Sequence, residues 1–256
     1  MPAPVFTCDF NGAAVIGDTT ALGWDNPSQT AQGGTLALEA VVIPRVGTKS
    51  IKCTAPALVT SPVRAALQKA AFAFDAYTEA WIEWYVYVAS AASYQMLGLL
   101  DIEDVDNPNN LKPGLSLYMT ADRKLHCALV RCGANTVLDQ GAAADTPVAL
   151  RAAMDASMPV DQWVKMRAYI FFAPDITNGR VKVWRNDVLI MDGALVTMPL
   201  GGYVTDRIQL GVTNHEGAVQ QVVYIADVNV WSADPGDGLS PGGSGHRKDE
   251  PIPDAS

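Results

Sequence analysis

The sequence predicts an all-β fold, a single antiparallel β-sandwich of jelly-roll type carrying one short helix. Two stretches, AWIEWYVYVA at 80–89 and WVKMRAYIFF at 163–172, alternate between two faces, and a period of two held over that length marks a strand. The other apolar runs are short and separated by turns bearing Asn, Asp and Gly, as in a sandwich. With 256 residues, 49% of them hydrophobic, the chain has enough material for one large core.

Taken in order, PVFTCDF, TLALEAVVIP and TKSIKCT read as opening strands. The segment SPVRAALQKAA at 61–71 is the best helical stretch, with Ser61 as cap and Pro62 at the first helical position. In the strand at 80–89, Ile82, Trp84, Val86 and Val88 share one face, and Trp81, Glu83, Tyr85 and Tyr87 the other. YQMLGLLDIE, the polar loop DVDNPNNLKPG, LSLYMTA, the turn DRK, LHCALV and TVLDQ follow. In 163–172, Val164, Met166, Ala168, Ile170 and Phe172 form the apolar face opposite Lys165, Arg167, Tyr169 and Phe171. RVKVWRN, DVLIMDG, RIQLGVTN and QQVVYIADVNVW complete the strands. After Trp231 the sequence turns to Gly, Pro and Ser, which predicts a domain over 1–232 and a flexible tail over 233–256.

A net charge of −9 without a dense Lys/Arg stripe excludes nucleic acid and an anionic membrane as expected partners. No apolar run reaches the ~20 residues of a membrane-spanning helix. The start, MPAPVFTCDFNG, lacks the basic and apolar regions of an export signal. The expected location is therefore cytosolic when made, or within a virus particle. Cys8, Cys53, Cys127 and Cys132 form no Cys-x-x-Cys pair. Buried free thiols are expected, with a Cys8–Cys53 disulfide as the alternative.

The ordered set Tyr77 to Val88, Leu115 to Leu129, Trp163 to Phe172, Gly179 to Asn186 and Asp227 to Trp231 resembles the concanavalin A-like lectin/glucanase superfamily, and within it the laminin-G-like jelly rolls. The resemblance covers about residues 75–231. It implies the fold more than the function, because lectins, adhesion modules, glycosidases, polysaccharide lyases and parts of phage particles share it. Laminarinase-like members carry Glu-x-Asp-x-Glu on one strand. Here Asp101 and Glu103 match, but Leu99 stands where the nucleophile belongs, and a retaining mechanism fails without it. Lyases of the superfamily use Arg, His or Gln, and Tyr on one sheet face; the resemblance makes Arg167 and Tyr169 the loose match.

Asp101, Glu103, Asp104 and Asp106 concentrate oxygen ligands in and beside one loop, the donor type that suits Ca²⁺. The stripe Trp81, Glu83, Tyr85 and Tyr87, joined by Lys165, Arg167 and Tyr169, offers aromatic faces and charges for a glycan or for a protein partner. The expected function is a non-catalytic module acting through such surface contacts. It would be a structural, decoration or adhesion component of a phage or virus particle, with other particle proteins or a second copy of itself as partner. The alternatives are a carbohydrate-binding, lectin-like module and a polysaccharide lyase or glycosidase.

Overall fold

The computed structural model describes residues 2–20, 22–39, 49–57, 63–94, 97–103, 114–130, 137–139, 157–175, 177–194, 197, 206–215 and 217–236. Among these residues fifteen strands form two antiparallel sheets: β1 Phe6–Cys8, β2 Asn26–Ala31, β3 Thr35–Glu39, β4 Ser50–Ala55, β5 Val63–Lys69, β6 Glu79–Val88, β7 Leu97–Glu103, β8 Gly114–Met119, β9 Leu125–Val130, β10 Val137–Asp139, β11 Trp163–Phe171, β12 Arg180–Arg185, β13 Val188–Ala194, β14 Arg207–His215 and β15 Gln221–Trp231. One sheet has eight strands, ordered β13-β12-β11-β6-β15-β4-β3 with β1 also pairing β15; the other has seven, ordered β10-β9-β8-β7-β14-β5-β2. This is the predicted jelly-roll sandwich.

The alternation read from the sequence sets the layers. Ile82, Trp84, Val86 and Val88 of β6, with Val164, Met166, Ala168 and Ile170 of β11, enter the core between the sheets. Leu97, Leu99, Leu100 and Ile102 of β7, with Ile208, Leu210 and Val212 of β14, enter it from the other side. Cys8, Cys53 and Cys127 are buried free thiols; Cys132 lies outside the described residues.

The predicted helix at 61–71 is corrected to a strand over its described part. β5 occupies the seven-stranded sheet between β14 and β2. Val63, Ala65 and Leu67 go to the core, leaving Arg64, Ala66 and Gln68 on the outer face. Ala and Leu favour helices in isolation, but that preference amounts to tenths of a kcal/mol per residue and tertiary context overrides it. The small side chains answer a close approach instead. A Cβ on Gly34 would lie 1.9 Å from the Arg64 carbonyl oxygen, and one on Gly211 would lie 2.7 Å from that of Ala65. The single helical element among the described residues is a 3₁₀ turn at Ile16–Thr19, and none of them forms a helix long and apolar enough to cross a membrane.

At the C-terminal end, the Asp234 amide donates to Glu79 Oε1 at 3.2 Å and the Gly236 amide to Asp234 Oδ1 at 2.8 Å, so the chain is still tied to the sandwich there. Residues 237–256 of the expected tail lie outside the described residues.

Candidate active site

The two sheets present very different outer faces. On the eight-stranded sheet, Trp81, which is 1% exposed, packs at 4.8 Å from Tyr169 and 5.7 Å from Trp184, ring centre to ring centre. Arg167, on the strand beside Glu83, donates through Nε to Glu83 Oε2 at 3.0 Å and also pairs with it through Nη2. Lys165 reaches Glu83 at 3.2 Å and Asp187 at 3.0 Å. Tyr87 packs edge-on against Trp163 and Tyr224. Burial pushes the Tyr169 hydroxyl up to about 12, with the Glu79 charge adding to it, so it stays protonated near neutrality and is a weaker acid than an ordinary tyrosine. Tyr85 and Glu83 border an open depression of about 390 Å³ with Thr7, Asp9, Asp227 and Asn229. The predicted residues are therefore brought together on one face, where most of their polar and aromatic groups are engaged with each other.

The outer face of the seven-stranded sheet is polar. Because Ile102, Leu117, Leu125, Leu210 and Leu67 point inward, their neighbours in sequence point out. One row runs across four strands in direct register: Gln68 opposite Gln209, Gln209 opposite Asp101, Asp101 opposite Ser116. The next row sets Arg207 opposite Glu103. On the other side Tyr118 lies opposite His126 with rings stacked at 5.4 Å and 16°. Arg64 donates through Nε to the Thr213 carbonyl at 3.0 Å.

Glu103, 4% exposed, accepts from Arg207 Nη2 at 2.5 Å and from Gln209 Nε2 at 2.9 Å. Asp101 is the group poised to titrate. Burial, and next the charge of Glu103, push its carboxyl up to about 6, against smaller opposing effects of Ser116, Arg64 and Thr213. Its Oδ1 is buried without a hydrogen-bond partner, as are Gln68 Oε1 and Gln209 Oε1.

A bulge in β7 explains what became of the three-carboxylate pattern. The register with β8 shifts between Gly98 and Leu100, so Leu99 and Leu100 are both buried in the core while Asp101 and Glu103 face out. The position lacking the nucleophile is thus turned away from the two carboxylates as well. Of the four residues considered for Ca²⁺, Asp101 and Glu103 stand on this face with Arg207 against Glu103, and Asp104 and Asp106 lie outside the described residues. Among the described residues no group of three or more His, Cys, Asp or Glu is placed to hold a metal.

Of this second face, the sequence singled out only Asp101 and Glu103. Arg64 and Gln68 sat in a segment read as helix, while Arg207, Gln209 and Tyr118 sat in strands noted only for their apolar residues. The available signal was the alternation of Arg64, Ala66 and Gln68 with Val63, Ala65 and Leu67.

The two sheets make a jelly-roll sandwich with a polar outer face on its seven-stranded sheet. No family model matches the sequence, and no curated protein matches it in sequence. Among solved structures, the chain is similar to an endo-β-1,4-glucuronan lyase from the fungus Trichoderma reesei, at a TM-score of 0.66 and 12% identity, with 90% of this chain and 96% of that one covered. It is also similar to an alginate lyase solved as a variant in complex with alginate trisaccharide (TM-score 0.59, 12% identity, 90% and 99% covered). A third is an alginate lyase from a Chlorella virus (TM-score 0.56, 10% identity, 90% and 100% covered).

These neighbours overturn the expectation of a non-catalytic structural or decoration component of a particle. These three solved chains, each sharing the fold over nearly its whole length, are lyases by name, which supports the alternative of action on a polysaccharide better than a purely structural role.

Proposed function

We propose that the chain is a polysaccharide lyase that cleaves an acidic polysaccharide by β-elimination on the outer face of its seven-stranded sheet. The observation that carries this reading is the meeting, on that one face, of Arg64, Gln68, Gln209, Tyr118 and His126 around Asp101, whose carboxyl titrates near 6. The like-folded glucuronan and alginate lyases support the same substrate class.

The chemistry assigns each group a part. Arg64 offsets the charge of the uronate carboxylate and so acidifies the proton on C5. Asp101, ionised above about pH 6, takes that proton. The C4–O4 bond breaks, a C4=C5 double bond forms, and O4 receives a proton from the Tyr118–His126 pair. A base with its pKa just below the working pH combines the correct protonation state with useful basicity. The Arg207–Glu103–Gln209 network holds the fixed charges around it.

The test is incubation with glucuronan and with alginate, following the ultraviolet absorbance of the unsaturated uronate. The expected rate rises with pH through about 6 as Asp101 ionises, and falls about 10²–10⁴-fold in Asp101→Asn, the usual worth of a general base. An absence of unsaturated product from either polymer across that range would sink the lyase assignment.

A further inference from the structure

We propose that Gln68 and Gln209 are hydrogen-bond acceptors that read the ring hydroxyls of the sugar residues beside the reacting one, so that the site takes a polyuronide with free hydroxyls and rejects one whose hydroxyls are acylated. This deepens the lyase reading and rests on it for the position of the reacting sugar at Asp101.

Gln209 is 0% exposed and Gln68 8%, and each has a side-chain oxygen with no hydrogen-bond partner. The orientation of the Gln209 amide is fixed, because its Nε2 donates to Glu103 at 2.9 Å; the nitrogen is committed, and the oxygen is the end left over. A buried acceptor without a donor costs about 1–3 kcal/mol, a cost that a ligand bringing donors would relieve.

Register gives the spacing. Gln68, Gln209 and Asp101 are consecutive direct partners on β5, β14 and β7, and neighbouring strands lie about 4.8 Å apart. That interval is close to the advance of one pyranose along a glycan chain. A chain laid across the strands with its reacting unit at Asp101 therefore brings its next units over Gln209 and then Gln68. Sugar hydroxyls supply the donors that two amide oxygens lack. An ester at the same position supplies only more acceptors, and its added bulk has to fit beside side chains that are already buried.

The experiment compares alginate oligosaccharides with the same oligosaccharides after chemical O-acetylation. Binding is measured by calorimetry on the Asp101→Asn chain, so that turnover does not consume the probe. Free-hydroxyl oligosaccharides are expected to bind about tenfold or more tightly than acetylated ones, the worth of a lost hydrogen bond at a buried acceptor. Gln68→Met, which keeps the length of the side chain and removes its amide, is expected to erase much of that difference. Equal affinity for the two forms, no binding of either, or a Gln68→Met chain that keeps the full difference overturns the proposal. Elimination by the unsubstituted chain is read separately. Discrimination without unsaturated product removes the lyase assignment alone, and product formation without discrimination removes the acceptor row alone.

Discussion

Replacing Asp101 by Asn tests the electrostatics of the site without any substrate. In the folded chain the carboxyl is raised from 3.8 to about 6, first by burial and next by Glu103. That shift of about two units corresponds to at most about 3 kcal/mol at ~1.36 kcal/mol per unit. The fold holds this proton more tightly than the unfolded chain does. The stability linked to it is therefore fully present below about pH 4, declines as pH rises, and is gone once pH passes the folded value near 6. Asn keeps the shape of the side chain and cannot ionise. Urea unfolding across this range should show the variant about as stable as the parent near pH 4 and more stable, by up to about 3 kcal/mol, above about pH 7. A stability difference between the two chains that does not change with pH, or a parent chain that is the more stable one above pH 7, would refute the reasoning.

Glu103→Gln removes the partner of Arg207 in a pair only 12% and 5% exposed; it should cost about 3–5 kcal/mol in urea unfolding. In whatever fraction folds, the pH–rate profile for elimination should move to lower pH, because the charge that helps raise Asp101 is gone. Gly98→Ala would place a Cβ 2.3 Å from Thr213 Oγ1 and 2.9 Å from the Asn214 amide, so a thermal or urea unfolding series should show a loss of about 1–3 kcal/mol, the usual cost of overpacking. Trp81→Ala, which opens the aromatic cluster on the opposite face, should cost about 3–5 kcal/mol of stability and leave the pH at which elimination turns on unchanged.

The fold was largely legible because its strands differ chemically on their two sides. β6 and β11 alternate apolar core residues with Trp, Tyr, Lys and Arg, and that alternation needs no knowledge of partners to be seen. β5 was misread because Ala65 and Ala66 were selected by the close approach of Gly34 and Gly211. A backbone contact between residues far apart in sequence leaves only small side chains as its trace, and a run of small side chains also looks helical. The bulge at Leu99 was invisible for a related reason. Period two is assumed along a strand, and one extra residue reverses the face of everything before it. The site suffered most, since Gln68, Gln209 and Asp101 are separated by tens of residues and become a row only through the order β5-β14-β7.

Chemical conspicuousness and chemical availability point to opposite sides of this molecule. The aromatic and charged stripe on β6 and β11 stands out in the sequence, yet Glu83 is shared by Arg167 and Lys165 and Trp81 is closed in by Tyr169 and Trp184. Most charged and aromatic groups of that face are thus engaged with one another, and the indole N–H groups of Trp81 and Trp163 are buried there without a partner. The face built by β5, β14, β7 and β8 contains fewer eye-catching residues, but it keeps buried acceptors on Gln68, Gln209 and Asp101 without partners. It also keeps one carboxyl poised to titrate near 6. Each such acceptor costs about 1–3 kcal/mol, in a fold whose whole margin is about 5–15 kcal/mol. An arrangement that a purely structural sandwich could relieve with apolar side chains of the same shape is one that a ligand bringing hydroxyl donors to it would complete.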